Sequence, residues 1–293
     1  MVISSVNMSA IAHLSVFLTW MALGIPASLA VARIGRIPLA YPVPPQHKLP
    51  LLLPLYLLAP AAVEVYRRLG ADAWSSYGIA WNQPFFNLAI AGFGAAAGGV
   101  TVLVALQLAL GWRRWQPPGR KAAPAASDAD IEGDPIPSSG PAPQTTPGVV
   151  LLAVLLLALF VGWIEELVFR GVLANGLGQA LPLWAMAIAV SLIFAVSHLV
   201  WDGPAGAPQL PGLAIMGAVL LLAHWAAGGS LGLAWGLHAG WVFAIALIDA
   251  LALLKPGKDG PVWLVGMPDQ PLTGLLPLGL LVLTGVGVWW AGG

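Results

Sequence analysis

Eight apolar runs in this chain are long enough to cross a hydrocarbon layer, which takes about 17 to 25 residues at 1.5 Å per residue. They lie at 9–32, 50–66, 86–111, 148–177, 182–200, 209–227, 231–254 and 273–291. Within lipid every backbone N–H and C=O must be satisfied inside the protein, so serial runs of this kind dictate helices. The expected fold class is therefore all-α, a polytopic transmembrane helix bundle of about eight spans. The run at 50–66 is the weakest, being short and carrying Pro50, Pro54 and Pro60, and it reads as kinked or re-entrant.

Composition agrees with a bilayer setting. Only 8% of the residues are charged, against roughly 25% in a soluble domain. Twelve basic and 12 acidic residues cancel, which argues against nucleic acid as a partner. There is no cysteine, so disulfides, iron–sulfur ligation, cysteine nucleophiles and Cys-based zinc sites are excluded. The first run has no charged segment before it, and Ser28-Leu29-Ala30 is a weak cleavage-site lookalike, so it is read as a span and not a signal peptide.

One long hydrophilic stretch, 113–147, is rich in Pro, Ala and Ser and carries Asp128, Asp130, Glu132 and Asp134, the composition of a disordered linker. It divides the chain into a three-span unit at 1–112 and a five-span unit at 148–293. Arg33, Arg36, Lys48, Arg113, Arg114, Arg120, Lys121, Lys255 and Lys258 fall in the odd-numbered loops, and only Arg67 and Arg68 in the even-numbered ones. This bias puts the odd loops, including 113–147, on the cytoplasmic side and both termini outside. The expected location is an integral, multi-pass protein of a bacterial plasma membrane or another internal membrane.

The chemistry is concentrated in the second unit. Glu165 and Glu166 lie within an apolar span, where an ionised group costs upwards of about 2.5 kcal/mol unless it is paired or lines a polar cavity. Glu166 and Arg170 share a helix face at i, i+4, the spacing of an ion pair, whereas Glu165 is turned about 100° away. A carboxylate free on its own face, opposite a histidine in a low-dielectric cavity, is minimum equipment for activating water.

Histidines suited to that role follow. Phe194-Ala-Val-Ser-His198 ends span five, and Leu237-His238-Ala239-Gly240-Trp241 lies in span seven. If spans four and five form a hairpin, Glu165 and His198 each stand about 16 residues, roughly 25 Å, from its turn and are level. His238 is then expected about 10 Å away in depth. Gly232, Gly236 and Gly240 fall on one side of span seven and allow close helix approach.

Glu165-Glu166-x-x-x-Arg170-Gly171, Phe194-x-x-x-His198 and a following His238 resemble the three-motif signature of the CPBP family of intramembrane proteases, which includes the CAAX prenyl endopeptidases and the Abi proteins. The resemblance covers residues 148–254. It implies a membrane fold with a cytosol-facing conical cavity and a glutamate-type peptidase mechanism with no metal or other cofactor. By resemblance, Glu165 is the general base, His198 helps orient water, His238 stabilises the oxyanion, and Glu166 and Arg170 brace the helix. The implied substrate is a membrane-anchored peptide or protein. One departure stands out: the family's second oxyanion donor, four positions after the last histidine, is replaced by Val242. Asn175, Ser197 and Asp202 are the candidate substitutes.

Other readings of the same residues stand beside this one. Glu165 and Glu166 could be structural, His198 beside Trp201 an interfacial anchor, and His238 a buried hydrogen-bonded group. His13 and His224 are read as anchors, the tryptophans at span ends as interfacial belts, and Tyr66 to Trp81 as an interfacial loop. Zinc on two carboxylates and two histidines is a metal alternative, without a His-Glu-x-x-His motif to support it. The alternative function is a catalytically weak or inactive membrane scaffold that assembles a larger membrane complex, a reading Val242 favours. A secondary transporter lacks the internal repeat such folds often show.

Overall fold

The computed structural model describes residues 2–70, 73–118, 146–257, 260–267 and 270–292. Its long helices are α1 (Val2–Ile34), α2 (Pro45–Gly70), α3 (Gln83–Ala109), α4 (Pro147–Glu166), α5 (Leu183–Ser197), α6 (Leu210–Ala226), α7 (Gly232–Ala250) and α8 (Leu275–Gly292). Beyond Glu166, α4 continues as a π-helix, Leu167–Ala174, and a last turn, Asn175–Gly178. All eight spans are long and apolar enough to cross a membrane. The chain is an integral multi-pass membrane protein.

The proline-bearing second run is an unbroken helix. The Trp20 indole of α1 donates to Leu55 O at 2.6 Å and ties this proline-bearing stretch to α1. Leu55 fills the space over Gly24, where a Cβ would come within 2.0 Å of Leu55 Cδ1. The outer faces of the bundle remain apolar, with Leu18, Ile90, Val102 and Leu283 exposed as lipid requires, and Trp115, Trp184, Trp289 and Trp290 exposed near span ends.

The tightest helix contact among the described residues joins α3 to α7, far apart in sequence. Carbonyls of Phe85, Ala89 and Phe93 on α3 lie where Cβ atoms would stand on Gly232, Gly236 and Gly240 of α7; at Gly236 the clearance to Ala89 O is 2.0 Å. The glycine stripe thus serves the close approach its spacing suggests, and its partner is α3 of the first three spans. The exits of these two helices are tied as well, by antiparallel pairing of Arg113–Trp115 with Leu254–Pro256. The beginning of the expected linker is therefore ordered strand. The rest of it, 119–145, and Lys258 lie outside the described residues.

A strap at the same end crosses the bundle. Tyr41 donates its hydroxyl to Leu199 O at 2.8 Å, Val43 N–H reaches Trp201 O at 3.0 Å, and Lys48 pairs with Asp202. The helical turn Leu199–Asp202, just after His198, is held by the loop between α1 and α2.

At the other end lies a cavity of about 680 Å³, lined among others by His13, Tyr66, Tyr77, Asn175, Gln179 and His224. His13 and His224 are buried here, which corrects their reading as interfacial anchors. The loop before α3 is likewise a packed plug, with Tyr77 and Ile79 buried and Gly78 O accepting from Leu231 N–H at 2.8 Å.

The α3–α7 contact makes a direct prediction. Gly236→Val should lower the melting temperature in detergent by the equivalent of at least about 1–3 kcal/mol, the usual cost of overpacking. Gly94→Ala on the open side of α3, where a Cβ meets nothing within 4 Å, should leave it unchanged.

Candidate active site

Glu166 and Arg170 have no exposed side-chain surface, and Arg170 Nη1 donates to Glu166 Oε1 at 2.9 Å. The pairing expected from the i, i+4 spacing is present, although it spans the passage from α-helix into the π-helix. Such wide turns occur frequently at functional sites. Arg170 has two further neighbours. Its Nη2 donates to Gly217 O of α6 at 2.9 Å, and its guanidinium lies over the Phe194 ring, 4.7 Å from the centroid. Gly217 permits this approach, since a Cβ there would press on Ser191 Cα at 3.1 Å and Phe194 Cδ1 at 3.3 Å.

Phe194 is the hub on which the three motifs meet. Fully buried, its ring makes edge contacts with Phe169, His198 and His238 at centroid distances of 5.2, 4.9 and 5.9 Å. His198 is half-buried, and its Nδ1 lies 2.8 Å from Phe194 O. Since a carbonyl can only accept, Nδ1 carries the proton there, and in the neutral ring Nε2 keeps its lone pair.

His238 is buried and turned toward both carboxylates. Its Nδ1 is 2.7 Å from Glu166 Oε1, and its Nε2 is 3.6 Å from Glu165 Oε2. The depth offset of about 10 Å expected from residue counting is absent. The glycine-mediated seating of α7 on α3 brings His238 to the level of the glutamates.

Glu165 does face away from the Arg170 pair, and it retains some exposure. One of its oxygens accepts the hydroxyl of Tyr56 from α2, and Oε2 has no hydrogen-bond partner among the described residues. Tyr56 lies in none of the motifs. The only trace of it in the sequence is a tyrosine within a proline-rich apolar span.

Val242 sits one turn beyond His238, and the three candidate substitutes are engaged elsewhere. Asn175 donates to Ser76 O and Gly171 O and lines the cavity at the far end of the bundle. Ser197 donates to Phe194 O at 2.7 Å, and Asp202 holds Lys48. Among the described residues no group of three or more His, Asp or Glu side chains is arranged to hold a metal ion.

Chemically, this is a buried charge cluster with one accessible edge. Glu166, Arg170 and His238 form the inner part, and Glu165 stands between them and the open side. Removing one partner of such a pair leaves an unpaired buried charge. Arg170→Met should therefore destabilise the protein by about 3–5 kcal/mol. Adding Glu166→Gln to it should recover part of the loss, as read from melting temperatures in detergent.

No curated protein and no solved structure matches the chain. Residues 147–244, roughly a third of the chain, match a family model described as type II CAAX prenyl endopeptidase Rce1-like. That segment contains Glu165, Glu166, Arg170, Phe194, His198 and His238. Over this segment the chain is similar to the Rce1-like type II CAAX prenyl endopeptidases, consistent with its resemblance to the three motifs of the CPBP proteases.

Proposed function

We propose that this protein is an intramembrane endopeptidase that hydrolyses a peptide bond of a membrane-anchored substrate by attack of water activated at Glu165. The observation that carries this reading is the buried, unpartnered Oε2 of Glu165, 3.6 Å from His238 Nε2. A water admitted together with the substrate would bridge these two atoms at about 2.8 Å from each, within ordinary hydrogen-bond range. Catalytic contacts are often this loose before substrate binds.

A carboxylate within hydrogen-bond reach of a water can take its proton and return it to the leaving amine. His198, half-exposed with an Nε2 lone pair, orients the water or substrate from the α5 side. His238 contributes through its Nε2, while its Nδ1 is committed to Glu166.

The reaction as proposed draws on carboxylate and imidazole groups alone, without a metal. The substrate is a membrane-anchored peptide, of which a prenylated tail is the class that the family description names. The basic residues of the odd loops favour a cytoplasmic opening at the His198 end, beneath the strap formed by Tyr41, Val43 and Lys48.

Quantitative mapping of peptide termini in membranes from cells carrying the native chain or Glu165→Ala, at matched abundance, tests this reading. A precursor should accumulate only with the variant, and chelators should leave cleavage of that precursor unchanged. Val242 keeps one rival in play. Matching terminus profiles, together with depletion of a membrane complex when the whole protein is removed, would replace the enzyme by a scaffold.

A further inference from the structure

Tyr56 is buried, lies outside every motif, and makes its hydroxyl hydrogen bond directly to Glu165. Its ring is set edge-on to Phe160 at 6.2 Å, and the backbone beside it is held by the Trp20 indole on Leu55 O. The hydroxyl is thereby fixed on the accessible carboxylate of the cluster. Peptide hydrolysis needs donors for the developing oxyanion, and loss of one typically costs about 100- to 1000-fold in rate. Position 242 offers a hydrocarbon, and Asn175, Ser197 and Asp202 are bonded elsewhere.

We propose that Tyr56 is a catalytic residue of this site, the oxyanion donor that takes the place left by Val242. The assignment rests on the proteolytic reading given above. In the resting site the Tyr56 O–H donates to ionised Glu165. As the water oxygen bonds to the scissile carbonyl carbon, the carbonyl π pair moves onto its oxygen and the water proton passes to Glu165 Oε2. The neutral carboxyl is then a weaker acceptor and the new alkoxide a stronger one, since hydrogen bonds to ionised acceptors are roughly twice as strong as neutral ones. The Tyr56 O–H turns from Glu165 to the alkoxide and keeps its own proton. On collapse the C–N bond breaks, the C=O re-forms, and Glu165 delivers its proton to the leaving amine. Tyr56 then returns to the regenerated carboxylate.

The role gives a function to the contact of Tyr56 on α2 with Phe160 and Glu165 of α4. It also makes Tyr56 and position 242 functionally exchangeable. The test uses the full chain in lipid vesicles with a synthetic peptide spanning the cleavage site found by comparison with Glu165→Ala.

Tyr56→Phe keeps the ring and should leave the melting temperature unchanged, while lowering kcat about 100- to 1000-fold with KM little altered. Adding Val242→Asn to Tyr56→Phe should restore kcat by at least about tenfold. A near-native kcat for Tyr56→Phe, a loss confined to KM or to stability, or no recovery with Val242→Asn would each overturn the assignment. If Glu165-dependent cleavage persists while Tyr56→Phe is silent, only the role of Tyr56 fails. If no terminus depends on Glu165, the proteolytic reading fails and this assignment fails with it.

Discussion

A guanidinium buried among apolar helices is the constraint around which this structure is organised. Arg170 has no exposed surface, so its charge must be met within the protein. It is met by Glu166 one turn back, by the Gly217 carbonyl of α6 and by the face of Phe194 on α5. Those three contacts fix the relative positions of α4, α5 and α6. Glu166, so anchored, then holds His238 of α7 through Nδ1. Each motif is therefore tied to the others through one ion pair and one aromatic ring.

The first three spans complete the site. α3 sets the height of His238 through backbone contact with the glycine stripe of α7, and α2 brings a hydroxyl to Glu165. The loop between α1 and α2 secures the turn after His198. The family match begins at 147, yet the geometry of its residues depends on helices before it. The same seating leaves Glu165 and His198 as the accessible members of the cluster and hides Glu166, Arg170 and His238. Under the proposed hydrolysis, the less buried pair would react and the buried three would support it.

Much of this was legible in the sequence because the bilayer allows few solutions. Eight apolar runs became eight helices, and the spacing of Glu166 and Arg170 gave their ion pair. The i, i+4 glycines of span seven marked a close contact, but not its partner, because the stripe carries no information about which helix it meets. The π-helix after Glu166 was hidden because its cause is packing and not propensity. Tyr56 was hidden because a tyrosine in an apolar span has no periodic signature. Residue counting misplaced His238 because it assumes straight helices with level ends. His13 and His224 read as interfacial because each lies near a span end; only the assembled bundle shows them enclosing a cavity.

The most direct test of the central claim is isotopic. Cleavage by the purified chain in lipid vesicles is run in water enriched in oxygen-18, and the new C-terminus is weighed. The account predicts one labelled oxygen in the new carboxylate with the native protein and no product with Glu165→Gln. Labelled product formed by Glu165→Gln at the native rate would contradict activation of water at Glu165, and with it the reading of this buried cluster as a hydrolytic site.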